Sequence, residues 1–189
     1  MLPEQFCVRM KEMLGEEYAA FYASYDLPKY QALRINPLKT ERDTFLLQAP
    51  FSLNRVPWTT NGYYYSGNDQ PGRHPYHEAG VYYIQEPSAM APAEYLMAEP
   101  GERILDLCAA PGGKSSQIAC SMQGEGLIVC NEIHPARAKI LSENIERMGV
   151  CNALVTNETP QKLSDNFREY FDRILVDAPV SYTHLTLPT

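Results

Sequence analysis

The 189-residue chain has no apolar run approaching the length of a membrane span, no basic N-terminal segment leading into an apolar core, and no internal repeat or low-complexity tract. These absences argue against a membrane or exported protein, and a cytoplasmic protein is the expectation. Its five cysteines, Cys7, Cys108, Cys120, Cys130 and Cys151, are odd in number and form no Cys-x-x-Cys pair. That pattern fits reduced thiols rather than a disulfide framework or a zinc site, and Cys120, Cys130 and Cys151 are expected as small core residues. His74 and His77 lie close together, but no further His or Cys stands near them, so no metal is expected. Basic charge is also scarce: 16 Lys and Arg against 23 Asp and Glu leave a net charge of −7. A strong phosphate-binding surface is usually basic, so any nucleic-acid contact must rest on a local patch. Arg34, Lys39, Arg42, Arg73 and Lys114 are the candidates for gathering on one face.

Two common nucleotide motifs are missing as well. Gly113-Lys114-Ser115 would end a Walker A loop, but Cys108 stands where its first glycine belongs. Gly124-Glu125-Gly126 is a Gly-x-Gly placed before a strand rather than between strand and helix, which reads as a plain turn. What is present is an apolar strand, Ile104, Leu105 and Leu107, running into Cys108-Ala109-Ala110-Pro111-Gly112-Gly113-Lys114 and then a helix. Gly112 and Gly113 let the backbone approach a ligand, and the helix start offers unpaired N–H groups.

The strands that follow end in acidic or amide residues. Leu127 to Cys130 delivers Asn131-Glu132, Ala153 to Thr156 delivers Asn157-Glu158, and Ile174 to Val176 delivers Asp177-Ala178-Pro179. Ligands of open α/β sheets bind at such carboxyl ends, and a carboxylate like Glu132 can accept both hydroxyls of a ribose. Between the second and third strands, Pro135 opens a helix in which Leu141, Ile145 and Met148 recur at helical spacing until Gly149 stops it. Its charges, Arg137, Lys139, Glu143, Glu146 and Arg147, read mostly as a solvated face.

The first hundred residues differ. Pro3 to Tyr25 reads as two short amphipathic helices, with Phe6, Met10 and Met13 or Leu14 on one face, then Tyr18, Phe21, Tyr22 and Tyr25 after Gly15. A mixed segment through Trp58 supplies short strands, and Asn61 to Gly80 shifts to Gly, Tyr, Asn, Asp and Pro, as in a long loop or linker. Tyr63, Tyr64 and Tyr65 fit either base stacking or ordinary packing.

Asp106-Leu107-Cys108-Ala109-Ala110-Pro111-Gly112-Gly113-Lys114, then Asn131-Glu132, then Asp177-Ala178-Pro179, resemble the NOL1/NOP2/Sun family of RNA cytosine-C5 methyltransferases. Tyr83-Ile84-Gln85-Glu86-Pro87-Ser88-Ala89-Met90 and Arg34-Ile35-Asn36-Pro37-Leu38-Lys39 are similar to two upstream elements of that family, within which the bacterial branch acting on small-subunit ribosomal RNA is the most similar. The resemblance covers residues 1 to 179. It implies S-adenosyl-L-methionine as cofactor and RNA, 16S rRNA in particular, as partner, with a monomer expected. Cys108, Ala109, Ala110, Pro111, Gly112, Gly113 and Lys114 would wrap its amino-acid and ribose portion, Glu132 would hold the ribose hydroxyls, Asn157 would sit by the adenine, and Asp177 would lie between cofactor and cytosine. The implied fold is α/β: a partial Rossmann-like S-adenosylmethionine-dependent methyltransferase sheet preceded by a small α+β N-terminal domain. The expected division is 1–60 for that domain, with RNA contact in view, 61–99 for a linker and lead-in, 100–179 for the N-terminal half of the methyltransferase domain, and 180–189 for a non-native tail.

In the family's chemistry a cysteine thiolate adds to C6 of cytosine, C5 attacks the sulfonium methyl, and a base removes the C5 proton before the enzyme is eliminated. The chain departs from the family where relatives continue with Cys-Ser-Gly, since Val180 follows Pro179 and no cysteine comes after Cys151. No catalytic residue is therefore assigned. The four strands after residue 100 would leave the last as an exposed edge, and the segment is expected to fold poorly alone. Three other readings stay open: a non-catalytic relative that binds the cofactor or RNA, a tRNA enzyme, and a methyltransferase of proteins or small molecules. The last would lack the Arg34 and Tyr83 elements.

Overall fold

The computed structural model describes residues 2–27 and 29–178, so the expectation of a non-native tail at 180–189 lies outside the described residues. The chain divides into two compact units, residues 1–30 and 31–189. In the first, helices α1 (Glu4–Leu14) and α2 (Tyr18–Ser24) are joined by a 3-10 turn, with Gly15 at φ 52° ending α1. Phe6 packs on Phe21 with ring centroids 6.2 Å apart, and Phe21 on Tyr25 at 5.3 Å. Neither helix buries a residue fully, and Met13 stands exposed.

The second unit begins with an antiparallel sheet in the order β2-β3-β1-β4, made of β1 (Ala32–Ile35), β2 (Leu53–Arg55), β3 (Gly62–Tyr65) and β4 (Tyr82–Ile84). Alternation along β1 separates two faces. Leu33 and Ile35 join Tyr63, Tyr82 and Phe45, the last from α3 (Arg42–Gln48), while Ala32 shares the opposite face with Val56 and Met90. Gly62 is required on that second face, because a Cβ there would lie 2.3 Å from Thr59 Cγ2 and 2.6 Å from Met90 Sδ. The sheet takes β3 and β4 from residues 61–99, which also hold α4 (Pro75–Glu78) and α5 (Ala91–Tyr95). The expected linker is thus folded structure: its glycines and prolines punctuate short elements, and Tyr63, Tyr64 and Tyr65 all contact the packed clusters of the sheet.

The remaining strands form a parallel sheet in the order β7-β6-β5-β8, from β5 (Arg103–Asp106), β6 (Leu127–Asn131), β7 (Ala153–Thr156) and β8 (Arg173–Leu175). Helices α6 (Gly113–Met122), α7 (Pro135–Arg147) and α8 (Pro160–Asn166) connect them. Continuous apolar runs suit β5 and β6 because both faces are covered. Ile104, Ile128 and Cys130 pack with Ile118 and Met122 of α6 and Leu141 and Ile145 of α7, while Leu105 and Val129 pack with Leu163 of α8. Each such side chain, fully buried, contributes about 1.5–3 kcal/mol. Gly126 allows the entry to β6, at φ 78° with Glu102 O only 2.2 Å from where a Cβ would stand. Gly149, at φ 73°, follows α7 as its spacing predicts. Among the cysteines expected in the core only Cys130 is buried; Cys120 is half-buried, and Cys151, just before β7, is exposed. No helix among the described residues is long and apolar enough to cross a membrane.

The two sheets are joined by the polar residues of β1 and its end. Arg34 is 2% exposed, and its guanidinium donates to Gln85 Oε1 at 2.7 Å, Gly113 O at 2.6 Å, Gln117 Oε1 at 3.2 Å and Ser116 Oγ at 2.8 Å. Asn36 donates to Gly80 O and Met148 O, both at 2.8 Å. This placement corrects the expectation that Arg34 belongs to a basic surface patch. Replacing Arg34 with Met leaves several buried acceptors unpaired, at about 1–3 kcal/mol for each such group before relaxation. Arg34→Met is therefore expected to lower unfolding free energy by about 3 kcal/mol, read in urea as a lower midpoint at unchanged slope; an unchanged midpoint would contradict the role given to this network.

Candidate functional site

The parallel sheet sends β5 into a turn whose shape is set by its own backbone. Ala109 N–H donates to Asn131 O at 2.8 Å, Gly112 N–H to Ala109 O at 2.8 Å, and Ser116 N–H to Gly112 O at 2.9 Å as α6 begins. The Ala110–Pro111 peptide is cis, and Gly112 sits at φ 107°, where a side chain would be strained and would meet Leu141 Cδ1 at 3.2 Å. Gly113 must also be small, since its Cβ would stand 3.1 Å from the Tyr83 ring. Tyr83 is itself fixed between two cations, with Arg34 and Arg147 at 5.7 and 5.6 Å from its ring centre.

Above the turn lies a cavity of about 430 Å³, within the range of small-molecule sites. The turn forms one side, through Cys108, Ala109, Ala110, Pro111, Gly113 and Lys114. Tyr83, Gln85 and Glu86 line the cavity beside Gly113, and Arg137, Asp177 and Ala178 also line it. Lys114 Nζ pairs with Asp177 Oδ2 at 2.6 Å. Seven of the ten residues expected to hold a cofactor thus share one cavity. Gly112 shapes the turn without lining it. Glu132 stands behind the lining, buried, with Oε1 accepting from His134 N–H at 3.0 Å and Oε2 3.3 Å from Arg137 Nη1. Asn157 is exposed and donates from Nδ2 to Glu132 O at 2.6 Å.

Several residues at the site were not assigned from sequence. Asn131 clamps three strand ends, donating to Leu107 O at 3.2 Å and Glu158 O at 3.0 Å and accepting from Thr156 Oγ1 at 2.9 Å. Arg137, read as solvated helix surface, lines the cavity and donates to Ala110 O at 2.9 Å. Its signal in the sequence is a cation in the first turn of a helix, where the macrodipole disfavours one. Of the basic patch, Lys114 is tied to Asp177 and Arg42 to its neighbour Asp43, at 3.0 Å. His74 caps α4 by accepting from Tyr76 N–H at 3.2 Å, a local structural role.

Burial and charge set the chemistry. Asp106, 1% exposed, accepts from Ser115 Oγ at 2.7 Å, and its other oxygen has no hydrogen-bond partner among the described residues. Burial pushes its carboxyl up to about 6, with the Ser115 bond and nearby Lys114 only partly opposing the rise. The Cys108 thiol is also pushed up, by burial and then by Asp106, Glu132 and Asp177. A thiol held in its protonated form is a poor nucleophile.

Two family models match most of the chain. Residues 2–87 match the N-terminal domain of 16S rRNA methyltransferase RsmF, and residues 93–186 match 16S rRNA methyltransferase RsmB/F. The chain is 37% identical over 190 residues to ribosomal RNA small subunit methyltransferase F of Enterobacter sp. (strain 638), covering 95% of this chain and 40% of that protein. The same figures hold for its counterpart in Citrobacter koseri. The chain therefore spans about 40% of the length of these relatives. A solved methyltransferase homologue from Pyrococcus horikoshii is 30% identical and superposes with a TM-score of 0.81 over 94% of this chain and 59% of that one.

Asp106 makes stability depend on pH in a defined sense. Its folded pKa lies above the ordinary 3.8, so the folded state holds the proton more tightly. The stabilisation this gives is complete below pH 3.8 and is lost as pH rises through about 6, amounting to roughly 3 kcal/mol. In urea titrations at pH 4.5, 6 and 7.5, Asp106→Asn is expected to gain on the wild type as pH rises; a gap constant across that window would refute the assignment.

Proposed function

Because the chain belongs to the family of 16S rRNA methyltransferases RsmB/F, we propose that its cavity takes S-adenosyl-L-methionine and that the activity it serves is methyl transfer to cytosine C5 in small-subunit rRNA. The observation that carries this reading is the 430 Å³ cavity at the carboxyl ends of β5 and β8, floored by a glycine turn and edged by charges of both signs. The cofactor carries a sulfonium cation, an ammonium, a carboxylate and a ribose, and this side-chain set fits each of them. Glu86 and Asp177 supply negative charge for the cationic part. The N–H groups opening α6 suit the carboxylate. Glu132 and Asn157, which do not line the cavity, are assigned the ribose hydroxyls and the adenine edge on the family resemblance alone. Cys108 to Lys114 enclose the amino-acid end, where Gly112 and Gly113 keep the turn free of side chains.

When bound, the cofactor supplies an electrophilic methyl group. Asp177, paired with Lys114 in the free protein, is the group we assign to the boundary between donor and cytosine. The C6 addition that activates C5 needs a thiolate. Cys108, which lines the cavity, is held protonated and is not assigned that role. Donor binding is the part of this reading that the cavity itself supports.

Calorimetric titration of the full chain with S-adenosylmethionine and S-adenosylhomocysteine tests this. Saturable one-to-one binding is expected for both, about tenfold weaker in Gly112→Ala, where a side chain is forced to positive φ. A folded wild-type chain that binds neither compound would remove the basis of the reading.

A further inference from the structure

Trp58 is the one tryptophan of the chain, and it stands 38% exposed although tryptophan is on average highly buried. Its position is nonetheless tightly set. The loop between β2 and β3 turns at Pro57 and Trp58, where Thr59 N–H donates to Val56 O at 3.4 Å. Val56 and Thr59, on either side of the turn, are both buried. Thr59 Oγ1, Thr60 Oγ1 and Thr60 N–H then donate to the carboxylate of Glu94 on α5, at 3.1, 2.7 and 2.9 Å. The indole Nε1–H donates to Pro87 O at 2.9 Å, and the ring meets Tyr64 at 83° with centroids 6.5 Å apart. The polar atom of the indole is therefore satisfied and its orientation fixed, while no parallel ring covers it among the described residues.

The anchor places this ring at the rim of the cavity, since Glu86, directly before Pro87, and Ala89, two residues after it, both line the cavity. A cytosine that reaches a methyl donor there has left its own stack, and the bases flanking it on the strand have lost a neighbour. Phosphate contacts are poorly served at this rim, because the Glu86 carboxylate is favoured in its ionised form and the whole chain carries a net charge of −7. Stacking on an aromatic face needs no positive charge and tolerates any base. A ring already held by its loop also loses little freedom when it is covered. We propose that Trp58 is a stacking platform for an unpaired base next to the target cytosine on the same RNA strand. This rests on the reading of the cavity as the place where an RNA cytosine meets its methyl donor.

A single tryptophan makes the test direct, because its emission reports on this one ring. The full chain is titrated with two probes, a short single-stranded RNA without internal pairing and an abasic strand of the same length. The RNA should quench Trp58 emission saturably; the abasic strand, which offers the same phosphates, should bind more weakly and leave the emission unchanged. Trp58→Ala, followed by the anisotropy of end-labelled strands, should bind the RNA about 5- to 100-fold more weakly than the wild type, the loss expected for one stacked base. Its affinity for the abasic strand should stay within about twofold of the wild type. Trp58→Phe keeps an aromatic face without the N–H and should retain most of the preference for RNA; a loss as large as that of Trp58→Ala would assign the effect to the Pro87 bond and overturn the proposal. Equal losses on the two strands in Trp58→Ala would also overturn it, since a residue that only shapes the rim weakens both alike. Binding of RNA by the wild type without quenching would do the same, and this measurement needs no variant, so it decides alone if Trp58→Ala fails to fold. A wild type that binds neither strand defeats the underlying reading of RNA as substrate, and this proposal with it; one that binds both strands equally defeats only the platform.

Discussion

The buried guanidinium of Arg34 is the interaction on which the geometry of this molecule turns. It sits on the antiparallel sheet, yet its strongest bond is to the carbonyl of Gly113, the first residue of α6. Burial draws its pKa down, and no carboxylate touches it directly; neutral acceptors and the face of Tyr83 share the charge. Such a charge is costly to bury unless every partner is in place. Nη1 and Nη2 are satisfied, while buried Nε has no hydrogen-bond partner among the described residues; these bonds and the ring contact tie Gln85, Tyr83 and the start of α6 together, and all three stand at the cavity. The antiparallel sheet is therefore one wall of the cavity, not an appendage carried beside it.

Local charge at the cavity differs in character from the net charge of −7. Lys114 and Arg137 are each engaged by a carboxylate, Asp177 and Glu132. Glu86 accepts from Ser88 and the Ala89 N–H, which with Lys114 holds its carboxyl below the usual range despite an opposing contribution from burial. The site is thus close to neutral by pairing, with the Glu86 carboxylate favoured in its ionised form beside the cavity. A surplus of acid over the whole chain weighs against tight phosphate binding by this surface, but it does not bear on a cavity whose charges are set within a few ångströms of each other.

Much of the parallel sheet was legible because burial on both faces writes itself as continuous apolar runs: Ile104-Leu105 and Ile128-Val129-Cys130 need no neighbour to be recognised. The turn at Cys108 to Lys114 was legible for a related reason, as two glycines between strand and helix have few other uses. The antiparallel sheet was harder. Its strands are three or four residues long, β3 reads Gly-Tyr-Tyr-Tyr amid turn residues, and composition alone assigns such a stretch to a loop. Arg34 and Arg137 were misread for one reason: sequence places a charge on water by default, and only the folded chain brings four acceptors to one guanidinium and two loops to the other.

The wall that carries Asp177 is held differently from the rest. β8 pairs with β5 alone among the described residues, with Ile174 53% and Val176 57% exposed. Within the described residues one ladder and the bonds at its end hold it. Its end is fastened to the turn by Leu107 N–H, which donates to Leu175 O at 3.0 Å, and by the Lys114–Asp177 pair, which contributes modestly because Asp177 is half exposed. The side formed by β4 is held by more contacts, with Tyr83 between two arginines and Gln85 accepting from Arg34. The two sides are therefore tied by different physics, one through buried neutral acceptors and aromatic faces around a guanidinium, the other through a half-exposed ion pair.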